Sequence, residues 1–306
     1  MQQTASAFAP GSVGNVGPGL DILGLAVAGR GDTVTLARIA GTGIVIADPG
    51  HPSLPTDPRR HASAIAAAAV FAQAGFAAGV SLVLRKELPL SGGQGGSAAS
   101  AVAGALAADR LCGAGLDANA LLGCALVAEE TVAGRHADNI APSLLGGLVL
   151  VRSLEPMDLI RLPVPSGLRV VLAHPDQRLL TRDARAALPD QVPRNVALGQ
   201  AANIAAMVAG ACLDDIDLFG RGLDDRIAEP ARAGLLPGFL RAKRAALDAG
   251  ALACSISGAG PTAFALARDD DTAHRVAHAM VEAYAADGIA ATARVAGVDL
   301  AGASVV

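Results

Sequence analysis

The stretch Pro89-Leu90-Ser91-Gly92-Gly93-Gln94-Gly95-Gly96-Ser97-Ala98-Ala99-Ser100 packs four glycines into five residues and runs on into an Ala/Val/Leu-rich segment ending at Cys112. Upstream, Gly79-Val80-Ser81-Leu82-Val83-Leu84 has the β-branched and aliphatic content of a strand. The order is therefore strand, glycine-rich loop, helix. A tight turn needs fewer glycines than this one holds. Glycines at this junction let backbone N–H groups approach an anion closely, and the following helix adds the positive end of its dipole. That geometry suits a phosphate group.

The chain excludes several phosphate chemistries. A Walker loop needs Gly-Lys-Ser/Thr, yet the only lysines are Lys86 and Lys243, and neither follows a glycine in such a loop. Neither His-Arg-Asp nor Asp-Phe-Gly occurs, which removes protein-kinase chemistry. Gly93-x-Gly95-x-x-Ala98 fits the dinucleotide pattern, but Asp109 falls earlier than the acidic residue that this pattern expects.

Working outward, Gly11 to Gly24 is glycine-dense and reads as a loop before the alternating strand Asp32 to Ala37. Four prolines between Pro49 and Arg60 demand irregular chain. Ala62 to Val80 opens with an alanine-rich helix, Leu116 to Val132 continues helical, and Leu144 to Val151 is a buried strand. Prolines and charges from Glu155 to Pro165 mark a boundary, giving an N-terminal domain of residues 1–155 and a C-terminal domain of residues 156–306. In the second, strands at 168–173 and 254–257 interleave with helices at 194–213, 240–249 and 271–286. The class is α+β.

A chain of 306 residues suits about two domains, and 52% hydrophobic against 17% charged residues gives it cores to bury. The net charge of −4 comes without a basic block, so nucleic acid is not an expected partner. Cys112, Cys124, Cys212 and Cys254 are far apart and form no Cys-x-x-Cys pair, as expected for thiols in a reducing compartment. No secretory signal is visible, and Ala62 to Val80 is too interrupted by Ser63, Gln73, Gly75 and Gly79 for a bilayer span. A cytoplasmic protein without a membrane partner is expected. His274 and His278 share a helix face but lack a third metal ligand.

Two further segments give the central loop its context: Ala9-Pro-Gly-Ser-Val-Gly-Asn15-Val-Gly-Pro-Gly-Leu-Asp21-Ile-Leu-Gly24 and Ser255-Ile-Ser-Gly-Ala-Gly-Pro-Thr262. In order and spacing the three resemble the motifs of the GHMP small-molecule kinases. Asn15-Val-Gly-Pro-Gly-Leu-Asp21 and His136-Ala-Asp138-Asn139-Ile-Ala-Pro-Ser-Leu-Leu-Gly-Gly147 resemble the homoserine kinases among them. Ser91, Gln94 and Gly96 stand where that family usually has Gly, Leu and Ser.

The resemblance implies a two-domain GHMP fold with the active site in the interdomain cleft, and ATP-dependent phosphorylation of the hydroxyl of L-homoserine by a homodimer. It implies that Pro89 to Ala99 bind ATP, that Ser97 and Glu130 hold Mg²⁺, with Glu130 favoured over Glu129, and that Asp21 meets the acceptor hydroxyl. Asn15, His136, Thr181, Arg185 and Arg232 would complete the amino-acid site, the arginines receiving its carboxylate. Another GHMP kinase, such as a mevalonate kinase, or a catalytically silent relative is the alternative.

Overall fold

The computed structural model describes residues 2–306. The first unit contains β1 (Thr4–Gly14), β2 (Leu23–Ile39), β3 (Gly43–Asp48), α1 (Ala62–Gln73), β4 (Gly79–Arg85) and α2 (Gly96–Cys112). It continues through α3 (Ala118–Val132), α4 (Ile140–Leu145), β5 (Leu148–Leu154) and β6 (Met157–Leu162). The second unit runs from β7 (Arg169–Pro175) through α5 (Thr181–Ala186), α6 (Arg194–Leu213), α7 (Ile216–Gly222), α8 (Ala228–Ala233) and α9 (Phe239–Asp248). It ends with β8 (Ala253–Ile256), β9 (Ala263–Ala267), α10 (Asp270–Ala286) and β10 (Ala291–Ala296), after which β11 (Ser304–Val305) rejoins the first unit.

A seven-stranded sheet has the order β11-β1-β2-β4-β3, with β5 on β2 and β6 on β5; a four-stranded sheet has the order β10-β7-β9-β8. All pairings are antiparallel except β3 with β4. Because β6 pairs with β5, the first sheet extends past the expected boundary at residue 155 to Leu162.

Three cores follow from strand alternation. Ala5, Ala7 and Ala9 of β1 pack with Val34 and Leu36 of β2 beneath α1 and α2. In β7, Val171 and Ala173 face the second unit's own core. Its neighbours Val170 and Leu172 face the opposite way, joining Val13, Leu23, Leu25, Phe219 and Phe264 in a core between the units.

The glycine-dense segment is only partly loop. Gly11 to Gly14 pair in register with Gly24 to Val27, and a register shift at Pro10/Gly11 bends the ribbon. Gly24 is required by close approach, since a Cβ there would lie 1.7 Å from the Asp138 carbonyl oxygen. Likewise α1 stops at Gln73, because Gly75 takes φ +63° and the Phe76 N–H turns back to the Phe71 carbonyl.

Candidate active site

α2 is the most enclosed helix near the cleft, with Ala98, Ala99, Ser100 and Ala101 buried at its first turns. The loop reaches it through Ser91 at φ +50°, Gly93 at +73° and Gly95 at +66°. A side chain at Gly95 would meet the Ser12 hydroxyl at 2.1 Å. Below the loop, the buried Lys86 ammonium donates to the Gly96 carbonyl (2.7 Å), to Ser100 Oγ (3.2 Å) and to Asp32. Asp32 also accepts from Ser100 Oγ at 2.6 Å and from the Glu87 N–H at 3.1 Å. Burial pulls the Lys86 pKa down, against the pull of Asp32.

The loop and helix line a cavity of about 380 Å³ at the junction of the two units. Pro89, Leu90, Ser91, Gly92, Gly93, Gly95, Gly96 and Ser97 form one side of it; Gln94, Ala98 and Ala99 lie behind that lining. Leu54, Pro55, Ala62 and Leu84 supply an apolar end. Asn15, Asp21, His136, Thr181, Arg185 and Arg232 form the opposite end.

The acidic partner of Ser97 differs from the expectation. Ser97 Oγ donates to Glu129 Oε1 at 3.1 Å, and Glu129 is only 2% exposed. The Glu130 side chain is 54% exposed and pairs with Arg135 outside the cavity. Successive helical residues point about 100° apart, so one of two adjacent glutamates must face away; on α3 it is Glu130. Burial raises the Glu129 pKa, although His136, Ser97 and Lys86 oppose that shift. Its second oxygen is buried without a hydrogen-bond partner. A hydroxyl beside an incompletely satisfied buried carboxylate is an oxygen donor set that fits a hard divalent cation.

At the other end, Asn15 (φ +67°) donates from its amide nitrogen to the Gly258 carbonyl at 2.9 Å and accepts from the Asp21 N–H at 3.1 Å. Asp21, itself at φ +62°, receives two hydrogen bonds from Arg185, at 2.7 and 3.0 Å. Arg232 is buried and spends two donors on the carbonyls of Ala184 (3.1 Å) and Gly258 (3.0 Å). His136 Nδ1 lies 3.1 Å from Asp138. Burial lowers the His136 pKa, but the hydrogen bond and charge of Asp138, with Glu129, outweigh it and the net shift is upward.

Sequence reasoning did not single out Lys86, Arg178, Asp138 or Asn139 as site residues, and all four line the cavity. For Asp138 and Asn139 the signal was present in the quoted His136 motif; for Lys86 and Arg178 no local pattern marks them.

A glycine-rich loop at the start of a buried helix, facing a cavity end rich in carboxylate and guanidinium groups in the seam of two α+β units, is the arrangement of a small-molecule phosphotransferase of the GHMP class. The family model described as the GHMP kinases N-terminal domain matches residues 61–147, and that for GHMP kinases C terminal matches residues 205–286. Within this class the chain belongs to the homoserine kinase family. The homoserine kinase of Chlorobaculum tepidum is 42% identical over 298 residues, 92% of this chain and 91% of that protein. The homoserine kinase of Arabidopsis thaliana is 41% identical, covering 92% and 78% respectively. The crystal structure of homoserine kinase from Cytophaga hutchinsonii is 40% identical, with a TM-score of 0.95 over 100% of this chain and 98% of that one. A mevalonate kinase from L. major, 17% identical with a TM-score of 0.69, shares the fold.

Proposed function

We propose that this protein transfers the terminal phosphoryl group of ATP to the hydroxyl of L-homoserine, making O-phospho-L-homoserine. The reading rests on one juxtaposition: the amide-lined start of α2 and the Asp21–Arg185 pair open into the same cavity. The homoserine kinase relatives, similar over nearly the whole chain, choose it over mevalonate or a silent binding role.

Phosphoryl transfer needs positioning and charge neutralisation more than covalent chemistry. The loop amides receive the phosphates, and the apolar end with Leu54, Pro55 and Leu84 receives the base. Ser97 and Glu129 are the residues that would hold Mg²⁺, which supplies neutralisation of the phosphate oxygens when bound. Asp21, fixed by two guanidinium hydrogen bonds, accepts the hydrogen bond of the acceptor hydroxyl and orients it. Arg232, with one terminal nitrogen uncommitted among the described residues, faces the substrate carboxylate. Asp138 and Asn139 close the acceptor end beside His136.

Purified protein incubated with ATP, Mg²⁺ and L-homoserine should release ADP and form a phosphomonoester visible by ³¹P NMR. Turnover of mevalonate in preference to homoserine would overturn the substrate, and hydrolysis without phosphohomoserine would overturn the reaction.

A homodimer in the cytoplasm belongs to the same reading. By length and composition α6 is apolar enough to cross a membrane, and it carries the exposed side chains Leu198 and Leu213. A second copy is the partner proposed for that face, with Arg194 at its start and Asp214 and Asp215 at its end able to pair about a two-fold axis. Light scattering should give a dimer that Leu198→Glu weakens; a wild-type monomer would remove this part.

A further inference from the structure

The loop differs from the resembling kinases at Gln94, and the side chain there does not touch the cavity. It points into the second unit, where Gln94 Nε2 meets Thr262 Oγ1 at 3.2 Å. The same hydroxyl meets His174 Nδ1 of β7 at 2.9 Å and the carbonyl of Gly92. A hydroxyl has one proton and two acceptor sites. Since a carbonyl can only accept, Thr262 spends its proton on Gly92, and both other contacts must be donors. Gln94 therefore presents its NH₂, and His174 carries its proton on Nδ1. All the hydrogen-bonding capacity of Thr262 Oγ1 is used.

The next two carbonyls are held as well: Ser257 Oγ donates to Gly93 at 2.5 Å, and the Ser12 N–H donates to Gln94 at 3.1 Å. In a planar trans peptide the C=O of one residue and the N–H of the next point in opposite directions. Carbonyls 92, 93 and 94 are turned toward Thr262, Ser257 and Ser12, so the N–H groups of Gly93, Gln94 and Gly95 each face away from those partners; Gly93 and Gly95 line the cavity, whereas Gln94 lies behind it. No backbone bond within the chain takes up these three N–H groups among the described residues.

We propose that Gln94 and His174 are positioning residues for the nucleotide, which saturate Thr262 and so lock the loop with its amides turned toward the phosphates. The leucine usual in the resembling loops could not donate, so this latch replaces an apolar contact with a polar one in this chain. The proposal rests on ATP being the donor in the reading above; its test also has an arm that needs no nucleotide.

Five variants suffice: Gln94→Leu, Gln94→Glu, His174→Leu, His174→Asn and the double Gln94→Leu/His174→Leu. The measurements are KM for each substrate, kcat, ADP affinity by calorimetry, and amide hydrogen exchange of residues 92–97 without ligand. Gln94→Leu should raise KM for ATP and Kd for ADP roughly three- to tenfold, with kcat and KM for homoserine within about twofold of wild type. Gln94→Glu, which sets an acceptor against the Thr262 lone pair, should be no better than Gln94→Leu. His174→Asn, whose amide nitrogen can stand in for Nδ1, should bind ATP more tightly than His174→Leu. The double variant should lose less than the product of the single losses, because both groups feed one hydroxyl. Loop exchange should quicken in the leucine variants.

Unchanged ATP KM with unchanged loop exchange would overturn the latch, and so would equal rises in both substrates' KM. If Gln94→Leu fails to fold, the two His174 variants carry the same comparison. A wild-type protein that neither binds ADP nor phosphorylates homoserine would sink the functional reading instead, and the exchange comparison would still decide the latch.

Discussion

Glu129 sits where burial opposes its charge, and its raised pKa records that cost. Glu129→Gln should lower kcat by roughly a hundredfold or more, while Glu130→Gln stays within about twofold of wild type, since an exposed pair with Arg135 contributes little. The same Glu129→Gln change should raise Tm at neutral pH, because an amide relieves a desolvated carboxylate; steady-state kinetics and a melting curve check both halves. His136 titrates with the opposite consequence. Its folded pKa lies above the ordinary 6.5, so the stability it contributes is fully present below that value and is lost as pH rises through the folded value. The Tm advantage of wild type over His136→Gln should therefore shrink as the pH is raised from 6.5 through the higher folded-state value. The arginines separate too. Arg185→Ala unfastens Asp21 and should lower kcat with homoserine and with 3-amino-1-propanol alike. Arg232→Ala should cost homoserine roughly 30-fold or more in kcat/KM and the carboxylate-free analogue far less. Equal losses for both compounds in Arg232→Ala would remove it as the carboxylate receptor. Most of this site could be read from motifs, because Asn15, Asp21, Ser97 and His136 each stand in a recognisable run. The choice between Glu129 and Glu130 could not: it depends on the phase of α3, and Leu122 and Leu126 are compatible with either glutamate facing inward.

Among the elements, α2 and α6 were legible because long apolar segments flanked by glycine or proline leave few alternatives. Strands β3 and β10 escaped, being short runs whose partners lie far along the chain, and β9 escaped as five residues following the glycine turn after β8. β1 escaped for another reason: its glycines suggested a loop, whereas Gly14 and Gly24 are small to admit the Asp138–Asn139 segment. The prolines and charges near 155–165 mark the β5–β6 hairpin as well as the linker after it, and the first sheet runs on to Leu162. Packing between α1 and α2 has the same sensitivity. A Cβ at Gly104 would lie 2.3 Å from the Ser63 carbonyl oxygen, which is backbone and cannot swing aside. Gly104→Ala should thus destabilise by about 1–3 kcal/mol despite alanine's better helix propensity, as urea titration would measure.

For the whole molecule, the seam between units is tied at many places. Asn15 reaches Gly258, Gln200 reaches the Pro18 carbonyl at 2.8 Å, and the segment after β10 returns to bridge Val27 with Val298. The cleft walls are consequently held by side chains from both halves of the sequence. The chain then finishes where it started, with Ala7 opposite Val305 and the Val306 N–H bonded to the Ser6 carbonyl. Residue 2 precedes Ser6 by four residues, so it lies no more than about 14 Å from Ser6. The polypeptide is topologically almost a ring. A linker of about five glycine and serine residues would close it, and the ring could be reopened in the exposed segment between α5 and α6, near Asp190. Such a circular permutant should fold with an unchanged far-UV spectrum and retain the β1–β11 pairing, now as a covalently linked hairpin.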